Sequence, residues 1–430
     1  MKIIFVFDRF SYDESQFYGG TNIRVKEILG LEKNIKFIKL AFNEKTVVKN
    51  KNIINISTMY SKKCKDYQEY ISCKSKELIK KKLEFLRVIL EYLKKEDKNS
   101  IIHLTGETYD LTKKLRNIGF KKIIYTYNVI NCVQYFKPIF DSSSKEYSNF
   151  CLFTYKLTKN LFYDCLKFIK FLKAIYSAGL YKFLPIELKF PLLSDIYPMI
   201  YCDKVIFVSK NSLKTFGSVF NIKNTKCYVV YNGVNKIFYN KKKYTKIKKI
   251  LAIGRIHPIK GFDILLNAIL KLEQQRVLRD YKIIICGNID SSQLKYYHYL
   301  KKLSERLINN KVIFTGLISQ KKLSMLYKKN SLFISTALDE PFGMCILEAI
   351  ASKNYIICSK TNGSLEFSKN AKIHLLKKNN DNILCRAIID YINKEELEIN
   401  QEVIHNQNFC KMFDWKISRK QLFKLYQNFL

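Results

Sequence analysis

The sequence predicts two doubly wound α/β domains that face each other across a cleft. Three observations carry this reading. Apolar runs of strand length recur along the chain, and each leads into a helical pattern, as buried parallel strands do. The chain has 430 residues, more than one ordinary core holds and enough for two domains of about 200 residues each. Its 14 glycines are few, yet many of them stand beside turns that follow strand-like runs.

The elements follow in order. The opening KIIFVF stops at Asp8 and Arg9; it is too short for a signal peptide and reads as a buried first strand. SIIHL, KKIIYTY and KVIFVS complete the strand-like runs of the first half, and KKILAIG, YKIIICG, KVIFTG, SLFIST and NYIICS make up the second. Ligands of such sheets sit beyond the strands' C-terminal ends. Gly19, Gly20, Gly254, Gly261, Gly287, Gly316, Gly343 and Gly363 lie there, where close backbone approach or unusual dihedrals favour glycine. The polar, basic stretch between 235 and 246 marks a boundary. The domains expected are therefore 1–235, 236–412 and a C-terminal helix over 413–430.

Residues 150–201 stand apart, with aromatic and aliphatic residues punctuated by lysines at helical spacing. Two readings fit them: a helix pair packed on the N-terminal sheet, or an interfacial helix with an apolar face edged by cations. No run approaches the roughly 18 uncharged apolar residues of a spanning helix, so any membrane contact is expected to be peripheral.

Against 37 acidic residues stand 76 basic ones, a net +39, and only ten of the basic residues are arginine. Such a surplus attracts polyanions. It has two sources to weigh: a bias of base composition toward Lys, Asn, Ile and Tyr codons, or an anionic membrane face, where each cation contributes about 1 kcal/mol. No nucleic-acid recognition motif accompanies the charge, so nucleic acid is not an expected partner. The 12 cysteines follow no framework, which fits reduced thiols in a cytoplasmic protein. The five histidines are isolated and suggest no zinc site.

The chemistry concentrates between Gly254 and Gly363. GRIHPIKGFDILLNAI follows the strand KKILAI, placing Arg255 and Lys260 in the loop beyond a strand end. Two cations there suit a diphosphate, Arg gripping oxygens in pairs and Lys adding a compact charge. Farther on, STALDEPFGMCILEAIASKNYIICSKTNG puts Asp339 to Phe342 in a loop and opens a helix at Gly343. The amides of Gly343, Met344 and Cys345 then form an anion site at the helix start. Seven residues separate Glu340 from Glu348, and a carboxylate in such a place accepts two directed hydrogen bonds from sugar or ribose hydroxyls.

The pair G-R-x-x-x-x-K-G and E-P-F-G-x-x-x-L-E-A, in this order, resembles the family 4 retaining glycosyltransferases of the GT-B fold. Glu340 and Glu348 match that family's E-x7-E signature. The likeness extends to FYGGTNIRVKEIL, KVIFVSKNSLKTF, VVYNGVNKIFY and FDWKISRKQLFKLYQNF, the last being similar to a helix that returns to the N-terminal domain. The resemblance implies two Rossmann-like domains, the first for the acceptor and the second for a nucleotide-diphosphate sugar. It gives Arg255 and Lys260 to the donor diphosphate, Glu340 to the transferred sugar, and Glu348 to the ribose. Gly20 would approach the phosphates from the opposite domain, and Leu317 and Ile318 would meet the nucleobase. No cofactor and no essential metal are implied, because cations and helix ends neutralise the leaving group.

Three positions depart from the family pattern. Asn128, in YTYNV, stands where a histidine is usual. Lys353-Asn354-Tyr355 replaces G-x-P, so a different turn is expected. Asn362-Gly363 replaces paired glycines, which left-handed Asn would tolerate. His103 and Asn128 are the acceptor-side candidates. The expected activity is transfer of a hexose with retained configuration to a saccharide or lipid-linked acceptor in cell-surface glycan synthesis, in the cytoplasm or at the inner face of the membrane. The alternative is a GT-B-like binding protein without catalysis.

Overall fold

The computed structural model of the chain describes residues 2–7, 20–29, 35–40, 53–56, 58, 60–63, 75–128, 165–180, 184, 186–220, 226–241, 243–289 and 293–429. The chain divides into two compact units. One comprises residues 1–132, 169–231 and 418–430, the other residues 133–168 and 232–417.

The first unit is built on a seven-stranded sheet, β1 (Ile3–Phe7), β2 (Ile35–Leu40), β3 (Ile53–Ile56), β4 (Ile101–Thr105), β5 (Ile123–Tyr127), β6 (Lys204–Phe207) and β7 (Cys227–Val229). The order is β3-β2-β1-β4-β5-β6-β7, and its pairings are all parallel. Its helices are α1 (Gly20–Leu29), α2 (Ser75–Lys94), α3 (Tyr109–Asn117), α4 (Cys165–Ser177, which counts with this unit from Ile169 onward), α5 (Ile186–Tyr201) and α6 (Lys210–Phe220). Isoleucine explains why these runs become inner strands: its branched Cβ suits the pleat. Ile3, Ile4, Ile101, Ile102, Ile123 and Ile124 are all buried, each contributing about 1.5–3 kcal/mol of transfer free energy.

The second unit carries a six-stranded parallel sheet, β8 (Lys249–Ile253), β9 (Lys282–Cys286), β10 (Lys311–Gly316), β11 (Leu332–Ser335), β12 (Tyr355–Ser359) and β13 (His374–Leu376). Its order is β10-β9-β8-β11-β12-β13. The helices are α7 (Phe262–Gln274), α8 (Leu294–Glu305), α9 (Gln320–Lys328), α10 (Met344–Ala351), α11 (Asn362–Phe367), α12 (Asp381–Asn393) and α13 (Glu396–Cys410); α14 (Trp415–Gln427) follows and counts with the first unit from Ser418 onward. Leu265, Leu266 and Ile269 of α7 join Ile250, Ile283 and Ile334 of the strands in one core. In both sheets the strand order reverses beside the first strand, which creates a switch point at β1/β4 and at β8/β11.

Two parallel Rossmann-like sheets with flanking helices make this the GT-B fold expected from the sequence. Four strands escape a search for apolar runs. In β2 lysines interrupt the run, and β3, β7 and β13 are edge or near-edge pieces of three or four residues. Short strands at a sheet margin bury too little to need a continuous apolar stretch.

In residues 150–201, positions 150–164 lie outside the described residues, and α4 and α5 cover most of the remainder. Within α5, Leu192, Ser194, Asp195 and Ile196 are buried, and the helix packs on α3. Tyr127 of β5 donates to the carbonyl oxygen of Asp195. For α5 the packed-helix reading holds. Among the described residues, no helix is long and apolar enough to cross a membrane.

The C-terminal residues are keyed into the first unit by polar contacts. Lys204 Nζ donates to the carbonyl of Leu425 at 2.7 Å, and Arg419 donates to that of Glu27 at 2.7 Å. Lysine and arginine are well placed there, since the last carbonyls of a helix lack intrahelical donors.

Candidate functional site

Two loops meet at the switch point of the second sheet. The first leaves β8 at Gly254 and runs to Gly261; the second leaves β11 and runs from Thr336 to Gly343. Main-chain contacts clamp them together. Leu338 N donates to the Ile259 carbonyl at 2.7 Å, and Thr336 Oγ1 donates to that of Gly261 at 2.7 Å. From the first turn of α11, the amide of Gly363 donates to the carbonyl of Glu340 at 2.7 Å.

This clamp brings Lys260 onto Glu340. The ammonium donates to Oε2 in an ion pair whose side chains are 18% and 15% exposed. Burial alone would lower the lysine's pKa, but the adjacent carboxylate more than offsets it, and the net shift is upward. A Cβ at Gly254 would lie 3.0 Å from Cγ and Cδ of Lys260, so glycine makes room for the lysine stem. Arg255 is exposed beside it.

Gly343 has φ 83°, the left-handed region, and precedes α10 as its N-cap. Met344 and Cys345 form the first turn, where amides have no intrahelical acceptor, and burial pushes the Cys345 thiol up to about 12. Glu348 lies one turn on, 5% exposed. Its Oε2 is 3.0 Å from Tyr327 Oη, which is also 2.9 Å from the Cys345 carbonyl oxygen. Burial raises the Glu348 pKa to about 8, against the opposing effect of the tyrosine hydrogen bond. Leu317 and Ile318 follow β10; Leu317 is 39% exposed and Ile318 partly buried.

Two residues here went unassigned from the sequence. His257 in the first loop accepts from the amide of Ile259 at 3.1 Å through Nδ1, which leaves its proton on Nε2. Burial, then the Arg255 and Lys260 cations, push its pKa down to about 3. The signal available was its place between those two cations. Tyr327 carries no local motif, since it reaches the site from α9.

Two sequence expectations, at His103 and Asn362, are corrected. His103 is not an acceptor-side group: it sits in the middle of β4, 2% exposed, with Nδ1 2.6 Å from Tyr426 Oη and Nε2 2.7 Å from Thr126 Oγ1. Both ring nitrogens are engaged within the core. In the Lys353-Asn354-Tyr355 turn, Lys353 adopts φ 59°, the left-handed conformation that glycine favours. Asn362 is not left-handed; it opens α11, capped by Thr361 with Ser364 in a reciprocal capping box. Gly363 is needed for space, because a Cβ there would lie 2.3 Å from the main chain of Phe342.

In the first unit, Asn128 closes β5 and its Nδ2 donates to Thr105 Oγ1 at 2.6 Å. Gly20 begins α1, while Gly19 lies outside the described residues. Among the described residues, no group of three or more His, Cys, Asp or Glu side chains is placed to hold a metal ion.

Lys260, Glu340, the start of α10 and Glu348 thus converge on one switch point. Residues 234–407 match the family model of glycosyl transferases group 1. The chain is similar to an uncharacterised glycosyltransferase of Methanocaldococcus jannaschii, 28% identical over 244 residues, covering 52% of this chain and 60% of the relative. It is also similar to the O-antigen chain mannosyltransferase RfbU of Salmonella typhimurium, 30% identical over 178 residues, covering 38% of this chain and 46% of the relative. The matching stretches thus span about half the length of these relatives. The crystal structure of Anabaena HepE in complex with UDP and glucose shares the fold, with a TM-score of 0.66 and 16% identity over the whole of both chains.

Proposed function

We propose that the chain is a retaining hexosyltransferase that uses a nucleotide-diphosphate sugar as donor. The observation that carries this reading is the meeting of a cation, two carboxylates and a helix start at the β8/β11 switch point, within the segment that matches glycosyl transferases group 1. Lys260 and Arg255 bind the diphosphate and neutralise the charge that grows as it leaves. The amides of Gly343, Met344 and Cys345 add a positive helix end to the same phosphates. Glu340, released from Lys260 when phosphate takes the ammonium, accepts from hydroxyls of the transferred sugar, and Glu348 accepts from the ribose. Leu317 and Ile318 offer apolar surface to the base.

With configuration retained, the departing phosphate oxygen takes the acceptor hydroxyl's proton on the face it leaves, so no protein base is required. No essential metal takes part in this scheme. The acceptor is a saccharide or lipid-linked saccharide of a cell-surface glycan. That part is supported by the likeness to an O-antigen mannosyltransferase and by the net charge of +39, which favours an anionic membrane face. Flotation that shows no preference for anionic over neutral vesicles removes the membrane part.

A second reading, a nucleotide-sugar-binding protein without transfer, is favoured by one observation: Asn128, in place of the family's histidine, is tied to Thr105. A thermal-shift screen with UDP-, GDP- and ADP-hexoses, followed by donor hydrolysis, tests both. One nucleotide sugar is expected to raise the melting temperature and to be turned over. A shift without turnover selects the second reading, and no shift with any of the three overturns the donor site.

A further inference from the structure

Glu348 is a buried carboxyl without a cation. Among the described residues it forms no ion pair, and its own helix surrounds it with the buried Ile346, Leu347, Ala349 and Ile350. The titratable groups facing it are Tyr327 from α9, Cys286 at the end of β9, and Cys345 on α10. Burial holds both thiols in their neutral form. Its one donor among the described residues, the Tyr327 hydroxyl, is shared with the carbonyl of Cys345. A phenol has a single proton, so half of one neutral hydrogen bond is all that would compensate a buried negative charge. Buried charges need more than that.

The two carboxyl oxygens differ. Oε2 faces Tyr327, whereas Oε1 accepts from no described residue and is not among the polar atoms sealed from solvent without a partner. Oε1 is therefore the atom a ligand hydroxyl can reach.

We propose that Tyr327 is a positioning residue for the donor site: burial keeps Glu348 a neutral acid in the ligand-free chain, and Tyr327 turns to donate to it when a sugar hydroxyl reaches Oε1, so that binding expels one proton. The inference rests on the reading of Glu348 as the acceptor of ribose hydroxyls. In the ligand-free chain the acid proton of Oε2 points to Tyr327 Oη, and the phenol proton points to the Cys345 carbonyl. That carbonyl, inside a helix, also has the amide four residues on, so it tolerates losing the phenol. Once a ligand hydroxyl donates to Oε1, the carboxylate holds two donors and both bonds become charge-assisted, which favours the ionised form. The released proton goes to solvent, and no covalent bond to carbon is made or broken.

The test is titration calorimetry of the full chain with UDP-glucose, GDP-mannose and ADP-glucose at pH 6, 7, 8 and 9, in phosphate-free buffers of small and of large ionisation heat. Their diesterified diphosphates do not titrate in this range. The expected result is release of close to one proton at pH 6 to 7, with affinity rising about tenfold per pH unit and levelling off above pH 8. Glu348→Gln is expected to bind with no pH dependence. Tyr327→Phe removes the donor that favours the carboxylate, so levelling off moves to higher pH and affinity at pH 7 falls. Wild-type binding with buffer-independent heat and constant affinity overturns the inference and leaves the donor site standing. Proton release that persists in Glu348→Gln overturns its assignment to this carboxyl. If none of the three binds at any pH, the donor site itself fails, and the inference with it.

Discussion

The two sheets share a strand order around their switch points, yet they use the strand ends differently. At β8 and β11 the loops are clamped to one another by main-chain hydrogen bonds and carry Lys260 and Glu340 into contact. In the first unit, the polar groups of β4 and β5 turn inward: His103 bonds to Tyr426 and Thr126, and Asn128 bonds to Thr105. Topology provides a place for a ligand at a switch point, but the chemistry there depends on how deeply the polar pairs are sealed: Lys260 and Glu340 keep 18% and 15% of their side chains exposed, against 2% for His103.

The sharpest way to break this contrast is at Lys260. Lys260→Ala is expected to lower donor turnover at least a hundredfold, about 3 kcal/mol of transition-state stabilisation, and to lower the melting temperature as well, because Glu340 loses its cation. Steady-state donor hydrolysis measures the first and calorimetry the second. Equal rates in variant and wild type would show that the clamped loops are only structural.

The converse change comes next in size. His103→Leu leaves two buried hydroxyls without partners and is expected to cost about 2 kcal/mol of stability, with nucleotide-sugar affinity unchanged. It also removes a pH dependence. Burial holds His103 down at about 3, below the ordinary value near 6.5, so under pH 6.5 the unfolded chain binds a proton that the folded chain refuses. Stability is then full above that value and falls toward pH 3, by at most about 1.4 kcal/mol per unit from this residue. Urea midpoints between pH 7 and 5 should fall less steeply in the variant than in the wild type. An identical slope would mean that His103 is not the buried neutral group described.

The smallest effect is expected at the turn after α10. Lys353 in the left-handed region carries a steric cost that glycine lacks, and Lys353→Gly is expected to raise stability by up to about 1 kcal/mol. A drop in melting temperature would show that the lysine's contacts outweigh its backbone strain.

The candidate site of the second unit was legible as a cluster in the chain because its residues are local. Gly254, Arg255, Lys260 and Gly261 fall in one loop, and Glu340, Gly343 and Glu348 fall within nine consecutive residues. What could not be read was contact between distant positions. Nothing in the composition of α9 marks Tyr327 as the partner of Glu348, and nothing around His103 announces that Tyr426, 323 residues away, closes over it. The backbone of Lys353 was hidden for another reason: a left-handed conformation is a property of the turn, and the lysine occupies it at a cost that its neighbours sustain.

The Lys260–Glu340 couple has one more consequence. Seen from solvent it carries no net charge, so on a chain of +39 this spot offers inorganic phosphate or sulfate little to gain by entering. A small anion would have to separate the couple and leave a carboxylate stranded. A molecule that brings phosphates for the ammonium together with hydroxyls for the carboxylate compensates both at once. On the proposed donor reading, the closed pair would act as a filter, sorting nucleotide sugars from the simple anions that surround them.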